Sequence, residues 1–205
     1  MRTLLIGMGN PIITDDAVGI LLAREAGAAL GPRPGLDVID ECSIGGLNLL
    51  DLITGYDRVV VLDSIKTRDG VPGTWYRFDA SDLQETMNLR NVHDANFATA
   101  MALGRSVGMH LPDDDEIHIL AVEIDDNINF GEELSPALAA AYDELRDEIL
   151  AEVRRVLDGQ TEGGAGPAGG CCAEARGCCG QAKAADAAAD NVGDETATAR
   201  SASWR

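Results

Sequence analysis

Two aspartates and one histidine carry the chemistry that this chain can be expected to do together: Asp16, Asp63 and His93. Asp16 follows the short apolar run Thr3–Ile6 and the glycine turn Gly7-Met8-Gly9-Asn10-Pro11. Asp63 closes the run Val59-Val60-Val61-Leu62, and His93 stands immediately before a segment of helical pattern that starts at Asp94. Two carboxylates and an imidazole suit a divalent ion of intermediate softness, such as nickel or zinc, and leave coordination positions open. Each residue also has a plainer reading. Asp16 can sit at the positive end of a helix, Asp63 can cap a loop, and His93 can be an ordinary residue of a helix N-terminus. An acid placed directly after a wholly apolar strand is the hardest of the three to dismiss.

Other chemistries fit less well. The opening Gly7-x-Gly9 invites comparison with a dinucleotide fingerprint, but Ile12 occupies the third glycine position. Asp15-Asp16 would also set two negative charges beside a bound pyrophosphate. Cys42, Ser43 and Ser64 fall near strand ends, yet no Gly-x-Ser-x-Gly elbow surrounds them and neither His110 nor His118 is an evident partner. His118 falls inside a strand pattern and reads as a packed or edge histidine, whereas His110 reads as solvent-facing. The run Asp113-Asp114-Asp115-Glu116 reads as a solvated loop. Ile128, Phe130 and Leu134, around Asn129 and Gly131, form an apolar and acidic loop that suits substrate contact and core cover equally.

The elements that must position these groups alternate between strand and helix patterns. Strands are expected at Thr3–Ile6, Leu36–Asp40, Val59–Leu62, Gly73–Phe78 (antiparallel, at an edge) and Ile117–Val122. Helices are expected over Asp15–Leu30, Gly46–Thr54 and Asp94–Val107. In the last helix Leu138, Tyr142, Leu145, Ile149, Val153 and Val156 recur at three- and four-residue steps behind an N-terminal Ser135-Pro136. This order implies an α/β fold, a three-layer α/β/α arrangement around a mainly parallel, twisted five-stranded sheet. In such sheets ligands gather beyond the carboxyl ends of the strands, where Asp16, Asp63 and His93 all fall.

Composition sets the outer bounds. Of 205 residues, 45% are hydrophobic, enough for a core, but only 4% are aromatic, so packing rests on Leu, Ile, Val and Ala. A net charge of -19 argues against nucleic acid as a partner. No export signal and no apolar run of membrane-spanning length is evident, so a cytoplasmic monomer without a membrane partner is expected. Large apolar residues nearly vanish after Gly159, which divides the chain into a folded domain, 1–158, and a Gly/Ala-rich low-complexity tail, 159–205, expected to be disordered. Four of the five cysteines, Cys171, Cys172, Cys178 and Cys179, lie in that tail as adjacent pairs rather than the C-x-x-C spacing of a zinc site. Reduced thiols in a dispensable extension are expected there, ahead of a metal-handling tail.

Gly7-x-Gly9-Asn10, Asp15-Asp16-x-x-Gly19, Val60-Val61-Leu62-Asp63 and Asn91-Val92-His93 follow one another in the order and spacing of the hydrogenase maturation proteases, and residues 1–157 resemble that family. The resemblance implies a phosphorylase/hydrolase-like fold and an endopeptidase that removes the C-terminal extension of a nickel–iron hydrogenase large-subunit precursor. It further implies that Asp16, Asp63 and His93 contact nickel supplied by that bound precursor, with no organic cofactor. The family's glycine-rich turn after the second strand is replaced here by Asp40-Glu41-Cys42-Ser43 and Ile44-Gly45-Gly46. Two other functions stay open at this point: a non-catalytic nickel-binding maturation chaperone, and a peptidyl-tRNA hydrolase, which has a similar Gly-x-Gly-Asn-Pro start. The second lacks support in the charge and in the absence of any histidine before His93.

Overall fold

Alternation along the strands decides the architecture, because successive side chains of a strand point to opposite faces. The computed structural model describes residues 1–44, 46–80 and 92–160, with the backbone alone described over 92–98. The tail expected from residue 159, with its four cysteines, lies outside the described residues from residue 161 onward. Five strands form one sheet: β1 (Thr3–Met8), β2 (Leu36–Cys42), β3 (Arg58–Ile65), β4 (Trp75–Asp79) and β5 (Ile117–Glu123). Their order is β2-β1-β3-β5-β4, all parallel except β4, which runs antiparallel to β5 at the edge.

Leu5, Val60, Leu62, Leu120 and Val122 project to one face and pack with α1 (Val18–Leu30) and the long terminal helix, Pro136–Leu157. Leu4, Ile6, Val59, Val61 and Ile117 project to the other and pack with α2 (Leu49–Ile53) and α3 (Val92–Ser106). The terminal helix is α4. These are the three layers and the mainly parallel sheet implied by the sequence, with the antiparallel edge strand as expected; β4 forms no hairpin with β3, because β5 lies between them.

Local boundaries differ in instructive ways. The first helix was expected from Asp15 with acids at its N-terminus, but α1 begins at Val18 and has no acidic residue in its first turn. Residues 14–17 form turns instead, with the Ala17 and Val18 amides bonding back to the Ile13 and Asp15 carbonyls, while the side chain of Asp15 reaches across the fold, as described below. The third strand runs two residues past Asp63 because β5 continues beside it, pairing Asp63 with Ala121 and Ile65 with Glu123. Helix α4 starts as read: the Ser135 hydroxyl accepts from the Leu138 amide, and Pro136 opens the first turn. Two members of the acidic run Asp113–Glu116 are not simply solvated, since Asp114 pairs with Arg105 and Glu116 with Arg58.

Candidate functional site

After β1 the chain crosses to β2 on one side, and after β2 it returns to place β3 on the other side of β1. The carboxyl ends of β1 and β3 therefore adjoin at a point where the winding direction changes, the position that forms a crevice in sheets of this type. Gly7 pairs with Leu62 at that point. The loop after β1 and the residues after Leu62 are thus brought side by side, although 46 and more positions of sequence separate them.

Glycines bring the loop in closely. A Cβ at Gly19 would lie 2.4 Å from both the Leu62 and the Met8 carbonyl oxygens, so a larger residue would push α1 off the ends of both strands. Gly9 has φ of +142°, and a Cβ there would lie 2.0 Å from the Asp16 carbonyl oxygen. The Gly7-x-Gly9 turn is a packing device that presses the loop onto the sheet edge.

Asp15 and Asp16 then diverge. Asp15 is fully buried. Its Oδ2 accepts from the amides of Asp125 and Asp126 and from the Ser135 hydroxyl, and its Oδ1 accepts from the Ser135 amide. One carboxylate thereby joins the first loop to the loop after β5 and to the start of α4. Asp16 points to the crevice: its Oδ2 accepts from the Asn10 amide at 2.8 Å and its Oδ1 from the Ser64 hydroxyl at 2.6 Å. The Ser64 amide donates in turn to Asp63 Oδ1 at 2.8 Å. Asp16 and Asp63 are thus brought together on a single serine, both half-buried.

His93 stands in the first turn of α3, and its side chain lies outside the described residues. The far end of α3 leads to His110, which approaches Asp57 at 3.6 Å, and the Asp57 amide bonds to Arg2 at the opposite, amino-end edge of the sheet. A helix of 15 residues spans about 22 Å, which carries its first turn back toward the edge that holds Asp16 and Asp63. Among the described residues no group of three His, Cys, Asp or Glu side chains gathers to hold a metal ion.

A search against protein-family models matches residues 20–152, well over half the chain, to the hydrogenase maturation protease family. The chain belongs to that family. It is accordingly a peptide-bond hydrolase. The Hydrogenase 2 maturation protease of Escherichia coli (strain K12) is 23% identical over 158 residues, spanning 75% of this chain and 92% of that one. The solved hydrogenase maturating endopeptidase HybD from E. coli superposes with a TM-score of 0.61 at 21% identity, covering 76% of this chain and 93% of its own. The NiFe hydrogenase maturation protease HybD from Thermococcus kodakarensis superposes at 0.53 with 22% identity, covering 75% and 99%. These likenesses establish the shared fold. Within the family match lie Asp63 and His93, while Asp16 lies four residues before it.

In this protease the serines and the cysteine near the strand ends are engaged otherwise than as nucleophiles. Cys42 is buried with its thiol directed to the Ile44 carbonyl, and Ser43 donates to the Gly9 carbonyl. Ser64 donates to a carboxylate rather than to an imidazole. His118 is buried at the amino end of β5, away from the crevice. The role of Ser64 had no signal in the sequence beyond its place next to Asp63, because its partner lies 48 residues away. The described helices include none long and apolar enough to cross a membrane.

Proposed function

We propose that this protease recognises nickel bound in the large-subunit precursor of a nickel–iron hydrogenase and removes the precursor's C-terminal extension, using Asp16, Asp63 and His93. The observation that carries the reading is the meeting of Asp16 and Asp63 on Ser64 at the sheet's switch point in a member of this family. Each carboxylate oxygen can accept two bonds, and among the described residues each Asp16 oxygen accepts one, Oδ2 from the Asn10 amide and Oδ1 from the Ser64 hydroxyl. The second lone pair of each remains for a cation. Ser64 and the Asn10 amide fix the carboxylate's orientation before any metal arrives, as outer-shell partners of metal ligands do.

The nickel belongs to the substrate. Asp16, Asp63 and His93 complete the coordination of an ion already held by the precursor, so only the loaded precursor docks fully. A water molecule attacks the scissile carbonyl carbon, a carboxylate oxygen of Asp16 or Asp63 that the ion does not engage accepts its proton, and the peptide C–N bond breaks with that proton passing to the leaving amine. Loading is thereby checked before an irreversible cut.

Purified protein incubated with nickel-loaded and metal-free precursor tests this reading by mass spectrometry. Shortening of the loaded form alone is expected, with Asp63→Ala and His93→Ala abolishing it while remaining folded. Full processing by either variant overturns the assigned set. Tight binding of the loaded precursor without shortening would instead favour a nickel-binding chaperone.

A further inference from the structure

Beside the proposed reaction centre stand apolar side chains that the reaction does not use. Ile128 and Phe130 are each 78% exposed and Ile12 is 58% exposed. Single exposed apolar residues are ordinary, but a group of them on one rim is a mark of an interaction site. The backbone under these three is fixed. Phe130 faces Ile13 in an isolated antiparallel bridge, the Gly131 amide donates to the Ile12 carbonyl at 3.2 Å, and the Thr14 amide and hydroxyl both donate to the Asn129 carbonyl. Asp126 Oδ1 accepts from the amides of Ile128 and Asn129, each at 3.0 Å. Asp15 clamps both loops from below. An occupant of this surface would have little loop to order, which favours binding.

The surface adjoins the reaction centre on the same loop, since Ile12 and Ile13 precede Asp16 by only a few residues. A polypeptide engaged at Asp16 must therefore extend past it. Acids border the apolar group: Asp125 on one side in the chain, and exposed Glu132 and Glu133 on the other. Lys66 contacts the Asp125 carbonyl and offsets part of this charge. A second copy of this chain, itself at -19, would bring acid against acid.

We propose that Ile12, Ile128 and Phe130 form the docking surface for the precursor segment next to the scissile bond, a segment of apolar residues flanked by lysine or arginine. This rests on the proteolytic reading above. The test measures both processing and binding of the nickel-loaded precursor by three proteins: wild type, Ile128→Ser with Phe130→Ser, and Glu132→Lys with Glu133→Lys. The apolar pair of changes is expected to raise KM and weaken binding about tenfold with kcat unchanged, the scale of losing interface anchors. Charge reversal is expected to weaken binding severalfold at low salt and progressively less as salt is raised. All three proteins should share one unfolding midpoint, because the altered side chains are exposed. Cleavage with KM and affinity unchanged in both variants overturns the docking surface and leaves the protease reading intact. Weaker binding in the variants without cleavage by wild type keeps the surface and removes the proteolytic assignment. Absence of both binding and cleavage overturns both.

Discussion

Adjacent carboxylates at positions 15 and 16 separate what holds the loops from what faces the crevice. Asp15 has no exposed surface and accepts four hydrogen bonds from loops and a helix start more than a hundred residues away. In Asp15→Asn an amide group would replace one acceptor and confront donors, and a buried ionic acceptor would be lost. A destabilisation of about 3 kcal/mol is expected, on the scale of losing one partner of a buried charged network. For a domain of this size that lowers Tm by about 10 °C, measurable by thermal unfolding. Asp16→Asn should shift Tm by no more than a few degrees, as Asp16 is only half-buried, yet reduce processing by roughly 100-fold or more if it ligates nickel. The reverse pattern would exchange the two roles. From the sequence both residues looked like charges at a helix N-terminus, and only Asp16 drew a chemical reading. What distinguishes them is the partner each finds across the fold, Ser135 or Ser64, and no local spacing encodes that.

At the scale of elements, the long terminal helix was legible nearly residue by residue, because its apolar positions repeat with the helical period and all bury against one face. Leu138, Leu145, Ile149, Val153 and Val156 are buried as the pattern demands. Less legible was the polar seam beneath its last turns. Arg58 donates to the Val156 carbonyl, and Arg77 pairs with Glu152 at 2.7 Å, so both edges of the seam tie α4 to the sheet. His118, 2% exposed, lies in that seam. Arg77 can only donate, so the 3.4 Å contact makes His118 Nδ1 the acceptor and puts the ring proton on Nε2, which has no partner among the described residues. Burial, aided by the cations of Arg77 and Arg58 and opposed by Glu116 and Asp79, pushes the imidazole pKa down to about 4 from 6.5. The neutral ring is therefore the folded form. Above pH 6.5 neither state binds the proton and stability is full. Between 6.5 and 4 the unfolded chain alone binds it, so stability falls as the pH falls, and below 4 this group takes no more. The loss approaches roughly 3 kcal/mol. His118→Leu removes both the titration and the unpaired N–H. Its urea-unfolding free energy is expected to stay within about 1 kcal/mol of wild type at pH 7 and to exceed wild type increasingly toward pH 4. Parallel curves for the two proteins would mean that His118 does not titrate differently on unfolding.

The whole molecule was legible where periodicity speaks and opaque where boundaries depend on distant partners. Five strands, their parallel arrangement and the antiparallel edge follow from apolar runs and alternation, and the shared fold with the solved E. coli endopeptidase agrees with them. The end of the last described helix is a matter of capping. Helix α4 ends at Leu157, but the amides of Asp158, Gly159 and Gln160 still bond back to Arg154, Val156 and Arg155, and Gly159 takes the positive φ of a helix stop. A cut at the composition break near residue 159 would strip part of this cap, whereas a chain ending at Gln160 retains it together with every core residue named above. Truncation after Gln160 is therefore expected to leave Tm within about 2 °C, since the described core and the helix cap are retained, and to process nickel-loaded precursor at the wild-type rate. A chain ending at Leu157 should lose about 1 kcal/mol from the missing cap, in the range measured for helix-terminal interactions. Thermal unfolding and timed processing of the two truncations decide the point. A loss of processing by the longer one, with Tm unchanged, would assign the cysteine pairs at 171–172 and 178–179 a part in handling the substrate or its metal.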